Sequence, residues 1–269
     1  MLTQAEKGKI FRALHQQKNA FIIPNPWDIG SARLLAHLGF QALATTSAGF
    51  SFSIGQRDNT VTRDQALTHA AQIASATDLP ASADLENGFA DAPEAIAETI
   101  RLASKTGLSG ASIEDMKRDG SIYDLQLAAD RIRAAAEVVR SLPFDFTLTA
   151  RCENYLVARP DLNDTIKRLQ EYQSAGANVL YAPGLTTKED IATLVRSVDR
   201  PVNVVMGLKG VQLSAAELSD VGVKRISVGS ALSRAALGAF LRAAQEMKDH
   251  GTFSFAKDAV STKDLNSIF

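Results

Sequence analysis

The chain has 269 residues, 45% of them hydrophobic and 22% charged, and a net charge of -1. That balance supplies no field for nucleic acid, and no apolar run approaches the roughly twenty residues needed to cross a bilayer. Cys152 is the only cysteine, which excludes an internal disulfide and a thiolate zinc cluster. Met1 to Gly30 lacks the basic, apolar and small-residue order of a signal peptide. The expectation is therefore a cytoplasmic protein that works on small molecules, with no nucleic-acid or membrane partner and with Cys152 as a buried, inert thiol.

Gln4 to Gln17 reads as an amphipathic helix ahead of the first strand. β-rich runs follow at Phe21 to Ile23, Ala42 to Thr45, Ala81 to Ala83, Ala111 to Ile113, Phe146 to Thr149, Asn178 to Leu180, Val202 to Val205 and Arg225 to Val228. Before four of these runs a helix ends in glycine, at Gly39, Gly107, Gly176 and Gly222, as C′ caps do. Helix starts are marked by Thr62 with Gln65, Asp91 with Glu94 and Ser214 with Glu217. Continuous strand-helix alternation implies a parallel sheet, and eight units imply a closed (β/α)8 TIM barrel rather than an open doubly wound sheet. The leading helix is expected to plug the bottom. Residues 253–269 form a C-terminal helical appendage whose apolar Phe253, Phe255, Val260, Leu265, Ile268 and Phe269 need a partner surface. The whole chain reads as one domain.

In such barrels the residues just after each strand build the active site. Here they are Asn25, Trp27 and Asp28; Thr46 and Ser47; Asp84, Glu86 and Asn87; Glu114 and Asp115; Arg151, Glu153 and Asn154; then Tyr181, Asn203 and Ser230. Asp84 and Glu86, two apart, would share one side of an extended strand and reach one ion. With Asp58 and Glu114 they suggest a hard-metal site, Mg2+ first and Mn2+ second, because converging carboxylates repel unless a cation or protons neutralise them. Helix capping is the competing account, and it suits Asp28 and Asp91.

Arg151 could grip a carboxylate or stabilise an oxyanion, with Glu153 orienting it, and a structural Arg-Glu pair is the alternative. His15, His37, His69 and His250 all fall in helices, which argues against Ser-His-Asp chemistry and histidine-bound zinc. The backbone amides of Ser47-Ala48-Gly49 open a long connector suited to a carboxylate, and Met116 to Asp124 is a second candidate lid. Val228-Gly229-Ser230 is a weak candidate for phosphate, since a glycine there is more often steric.

Taken together, Thr46-Ser47-Ala48-Gly49, Ile54-Gly55-Gln56-Arg57-Asp58, Ala83-Asp84-Leu85-Glu86-Asn87-Gly88-Phe89, Ser112-Ile113-Glu114-Asp115, Thr149-Ala150-Arg151-Cys152-Glu153-Asn154 and Arg225-Ile226-Ser227-Val228-Gly229 resemble the isocitrate lyase and phosphoenolpyruvate mutase superfamily. The resemblance implies that Asp84 binds Mg2+ directly while Asp58, Glu86 and Glu114 hold it through water. It implies that Arg151 contacts substrate, that the segment from Thr46 through Ser47 and Ala48 to Gly49 receives the carboxylate of a 2-oxo acid, and that the segment after Glu114 is a gate. Arg151, Glu114, Thr46 and Ser47 form the expected catalytic set, and Asn203 is added to the substrate-binding set. The resemblance also implies a homodimer or homotetramer that exchanges the last barrel helix.

Three departures bear on the reaction. The Lys-Lys-Cys-Gly-His gate of isocitrate-type lyases is replaced by Met116-Lys117-Arg118-Asp119-Gly120, the histidine that phosphonate-forming mutases carry after strand five is absent, and Glu86 stands for the usual aspartate. The expected activity is a Mg2+-dependent lyase or decarboxylase that cleaves a C–C bond in a small 2-oxo or hydroxy (di)carboxylic acid through an enolpyruvate-like intermediate. C–P bond chemistry, and a non-catalytic paralogue that only binds an oxo acid, are the alternatives.

Overall fold

The computed structural model describes residues 2–269. Eight parallel strands run β1 (Phe21–Ile23), β2 (Leu43–Ala44), β3 (Ala81–Asp84), β4 (Gly110–Glu114), β5 (Thr147–Arg151), β6 (Val179–Tyr181), β7 (Val202–Val205) and β8 (Arg225–Ser227), in the order β1-β8-β7-β6-β5-β4-β3-β2. The ring is nearly closed: β1 and β2 meet where Ala44 N donates to Pro24 O at 3.1 Å. This is the (β/α)8 barrel expected from the alternation.

The helices are α1 (Gln4–Leu14), α2 (Ile29–His37), α3 (Ser47–Ser53), α4 (Arg63–Ala76), α5 (Pro93–Ala103), α6 (Leu125–Ser141), α7 (Leu162–Ala175), α8 (Lys188–Arg196), α9 (Ala215–Asp220), α10 (Ala231–His250) and α11 (Thr262–Ile268), with a 3-10 turn at Ser254–Asp258. Capping boxes start α1 at Thr3 with Glu6, α4 at Thr62 with Gln65 and α9 at Ser214 with Glu217. Asp91 departs from the expected cap. Ala92 precedes α5 without a side-chain bond, Pro93 occupies the first turn, and Asp91 instead accepts from the Tyr123 hydroxyl.

The core lies in two shells, one inside the sheet and one between sheet and helices, where Ile73, Ile96, Ile100, Leu169 and Leu194 are fully buried. Phe11 of α1 seals the lower end against Phe21, ring centroids 6.3 Å apart. A Cβ at Gly110 would lie 2.6 Å from Thr147 O and 3.1 Å from Phe11, so glycine opens β4 for steric reasons. The last barrel helix, α10, is anomalous: of its residues only Ser233 is buried. Among the described residues no helix is long and apolar enough to cross a membrane.

Candidate active site

The strand ends bring four of the candidate residues to one mouth of the barrel. Register pairs Glu114 with Arg151 and Arg151 with Tyr181, so β4, β5 and β6 each finish on a site residue, while β3 finishes on Asp84. Arg151 is the hub. Its Nη1 is 2.8 Å from Asp84 Oδ1, its Nη2 is 3.0 Å from Glu114 Oε2, and its Nε donates to Glu153 Oε1 at 2.9 Å. The Tyr181 ring packs 5.3 Å from the guanidinium carbon. Burial opposes the charge of Arg151, but Glu153, Glu114 and Asp84 outweigh it and hold the group well above arginine's usual value.

Asp84 is held from two further directions. Ser47 Oγ donates to its Oδ2 at 2.9 Å with Ser47 N at 3.3 Å, and Asp84 N donates to Thr45 Oγ1 at 2.9 Å. The strand ends at Asp84, so Glu86 does not share a strand face with it. Instead Glu86 adopts φ 49°, a left-handed conformation that costs a β-carbon residue about 1 kcal/mol, and its Oε1 is buried without a hydrogen-bond partner. Asp58 stands at the exposed rim of the same cavity, with its carboxyl raised by partial burial and by Asp84.

Three carboxyls therefore contact the Arg151 guanidinium, and Glu86 and Asp58 add their charge nearby. Burial, then Asp84, pushes Glu86 up to about 7, and burial pushes Glu114 well above the usual range. A site that retains protons at neutral pH and leaves a buried carboxylate oxygen unbonded suits a divalent cation that would displace those protons. Among the described residues no three His, Cys, Asp or Glu side chains converge to enclose an ion directly. The donor set, carboxylate oxygens without a histidine or thiolate, fits a hard divalent cation such as Mg2+.

This arrangement makes a stability prediction. Glu86 titrates near 7 in the fold against 4.5 unfolded, so its stabilising contribution is complete below pH 4.5 and is lost as pH rises through 7. In EDTA, Glu86→Gln should raise unfolding free energy at pH 8 by ~2–3 kcal/mol relative to wild type and by much less at pH 5. Urea melts at the two pH values check it, and equal effects at both would refute the raised Glu86 carboxyl.

The segment from Thr46 to Gly49 is not an open loop. Thr46 caps α3, its Oγ1 accepting from Gly49 N at 3.2 Å, so that amide is already used. A Cβ at Gly49 would meet Thr46 Cγ2 at 2.5 Å and Trp27 Cβ at 3.2 Å, which makes this glycine a packing requirement. Thr46, Ser47 and Ala48 line the cavity, and Gly49 lies outside its lining. Asn203 lines the cavity too, but its amide is engaged: Nδ2 donates to Ser227 Oγ at 3.0 Å and Oδ1 accepts from Arg225 Nε at 2.9 Å.

The phosphate candidate at Val228-Gly229-Ser230 is occupied from within, since Val228 N and Gly229 N both donate to Asn25 Oδ1 at 2.9 Å. The gate candidate is an ordered hairpin in which Met116 bridges Ile122 and Lys117 N donates to Ser121 O at 2.7 Å. Its Arg118 stacks over Phe89, donates to Val61 O at 3.2 Å, and lowers Glu86 electrostatically. Cys152 is fully buried, and burial followed by Asp115 raises its thiol well above the usual value, as an inert cysteine requires. Asp115 ties the end of β4 to the segment after β5 and to α7. It accepts from Glu153 N at 2.8 Å and from the Tyr172 hydroxyl at 2.5 Å.

Acidic strand ends around the Arg151 guanidinium, at a cavity of about 220 Å³, lie where α/β-barrel enzymes carry their active sites. The phosphoenolpyruvate phosphomutase family model matches residues 11–248, and the chain belongs to that family. A protein of Burkholderia cenocepacia J2315, provisionally described as a lyase/mutase, is 59% identical, with a TM-score of 0.95 over 98% of this chain and 95% of its own. The 2-methylisocitrate lyase of Shewanella oneidensis is 30% identical over 244 residues, 86% of this chain and 82% of the relative. The structure of oxaloacetate acetylhydrolase in complex with oxalate is 25% identical, with a TM-score of 0.89 over 99% and 94%. Members of this superfamily are lyases and mutases.

Proposed function

We propose that this protein is a cytoplasmic, Mg2+-dependent lyase or decarboxylase acting on a small 2-oxo or hydroxy (di)carboxylic acid through an enolpyruvate-like intermediate. The observation that carries the reading is the Arg151 fan over Asp84, Glu114 and Glu153 beside the unbonded oxygen of Glu86. Asp84 would hold Mg2+ directly, with Asp58, Glu86 and Glu114 acting through water. Bound Mg2+ would supply Lewis-acid polarisation of the 2-oxo acid.

The chain's own groups do the rest. Three of the five N–H groups of Arg151 are spent on carboxylates, which leaves two to meet a substrate carboxylate and the charge that develops on the enolate oxygen. Ser47 fixes Asp84, and Ser47 and Ala48 present the first turn of α3 to the cavity. The small volume suits an acid of a few carbons. No gate cysteine stands ready to handle a proton, which favours decarboxylation over retro-aldol cleavage. The family model's name favours C–P chemistry as a second reading, against which the amides of Val228 and Gly229, the phosphate candidate, are taken by Asn25.

Product analysis by NMR with Mg2+ and oxaloacetate, 2-methylisocitrate, dimethylmalate, phosphonopyruvate or phosphoenolpyruvate tests it. Pyruvate from a carbon acid, abolished by EDTA, is expected. Conversion of a phosphorus compound alone would replace the C–C reading with the C–P one, and no turnover of any would leave an oxo-acid-binding paralogue.

The exposed α10 supports a homodimer or homotetramer built by helix exchange. Phe240 and Leu241 are 67% and 65% exposed, and Ile22, on the outer face of β1, is 39% exposed where a barrel helix would normally cover it. The double substitution Phe240→Glu and Leu241→Glu should shift the protein to monomer in sedimentation velocity. An unchanged oligomer would place the interface elsewhere.

A further inference from the structure

Four arginines are buried, or nearly so, within the barrel and its helices. Arg151 and Arg168 are matched by carboxylates, and Arg131 lies 3.9 Å from the Tyr123 ring centroid while donating to the carbonyls of Glu114 and Ala90. Arg225 is different. It is 4% exposed, and its partners are Asn203 Oδ1 at 2.9 Å from Nε, Thr149 Oγ1 at 3.0 Å from Nη2 and His15 Nε2 at 3.5 Å from Nη1. None of these is negative. His15 Nδ1 lies 2.8 Å from Phe11 O, which can only accept, so Nδ1 carries the hydrogen and Nε2 offers a lone pair. Burial, reinforced by Arg225, brings His15 down to about 3, so the ring is neutral at physiological pH.

Among the described residues no carboxylate lies within ion-pair distance of Arg225. Burial lowers Arg225 to about 10, which still leaves it charged at neutral pH. A buried arginine without a counter-charge is rare, because desolvation of the ion is costly unless something negative faces it. Arg225 also lines the cavity that Asp84, Arg151 and Ser47 line, and it does so from the first residue of β8, on the floor below them.

We propose that the missing counter-charge is the substrate: Arg225 is a positioning residue that holds a positive field at the cavity floor and orients Asn203, so that the site prefers dianions to monoanions of the same shape. The inference rests on the oxo-acid reading and deepens it by naming the charge class. It acts through the field and through Asn203, whose amide is fixed between Arg225 and Ser227.

Oxalate and oxamate, planar acids of similar size carrying two charges and one, separate this role from a structural one. Their binding in the presence of Mg2+ is measured by calorimetry for wild type, Arg225→Met and Arg225→Lys. Arg225→Met should weaken oxalate about tenfold or more and oxamate about threefold or less, with Mg2+ alone bound as in wild type or tighter, while Arg225→Lys keeps oxalate within about threefold. A folded Arg225→Met protein in which both acids weaken equally, or neither does, overturns the proposal. Should Arg225→Met not fold, Asn203→Asp sets a carboxylate against Arg225 with little change in volume. It should then lower the oxalate-to-oxamate preference, and an unchanged preference again overturns the proposal. Failure of wild type to bind either acid with Mg2+ would remove the oxo-acid reading itself, and the Arg225 assignment with it.

Discussion

Arg151→Ala is expected to destabilise the metal-free protein by roughly 3–5 kcal/mol at pH 7.5, beyond any effect on ligand binding. An arginine reserved for substrate could be removed at little cost to the fold. This one is the common counter-ion of Asp84, Glu114 and Glu153, and the last two are almost fully buried. Taking it away leaves buried carboxylates facing one another, and they would respond by holding protons more tightly. The sign follows. Glu114 and Glu153 are already raised, first by burial, so their contribution to stability is present at low pH and lost as pH rises. The deficit of the variant should therefore shrink between pH 7.5 and pH 5. Arg151→Lys, which keeps the charge but loses the three-way fork, should restore most of the stability and little of the binding. Urea melts of the three proteins at both pH values, with oxalate calorimetry alongside, decide it. Arg151→Ala with wild-type stability and wild-type oxalate affinity would remove Arg151 from both roles.

The barrel was legible because most of its strands are buried on both faces and read as short apolar runs between capped helices, a pattern set by local chemistry. The carboxylates at the strand ends were legible for the same reason, as charge where a core would tolerate none. What escaped was governed by contacts distant in sequence or by weak helix formers. The segment Ser47–Ser53, SAGFSFS, has low helix propensity, yet folds as α3 once Thr46 caps it and Gly49 lets it pack on Trp27. Asp91 with Glu94 has capping-box spacing, but Tyr123 from the gate side captures the carboxylate. The amides of Val228 and Gly229 look free until Asn25, from the other end of the chain, is seen to take both. Alternation places Glu86 on the face of Asp84, and the strand stops two residues short of it. Arg225 carries a usable signal: a cation opening the β-rich run Ile226, Ser227, Val228 faces a core, and a charge facing a core needs a partner.

Asp84→Asn should separate metal binding from stability in a way that Arg151→Ala does not. Asp84 is the one site carboxylate joined at once to Arg151, to Ser47 and to the backbone of Glu86, and it raises Asp58 and Glu86 by its charge. An amide in its place keeps the shape and relieves that repulsion, while Arg151 retains Glu114 and Glu153 as counter-ions. The two effects oppose each other, so the metal-free variant should stay within about 1 kcal/mol of wild type. Its response to Mg2+ should vanish. For wild type, Mg2+ at a hundred times its dissociation constant would add about 2.7 kcal/mol of stability, whereas the variant, with affinity reduced by more than about hundredfold, should gain less than about 0.5 kcal/mol at the same concentration. Thermal melts with and without Mg2+, together with Mg2+ calorimetry and the NMR assay, read both quantities. An undiminished Mg2+ response or undiminished turnover in Asp84→Asn would take Asp84 out of the site. Loss of folding in EDTA would instead show that the Asp84 and Arg151 pair is structural first, because only a fold that depends on that charge would fail when its shape is preserved.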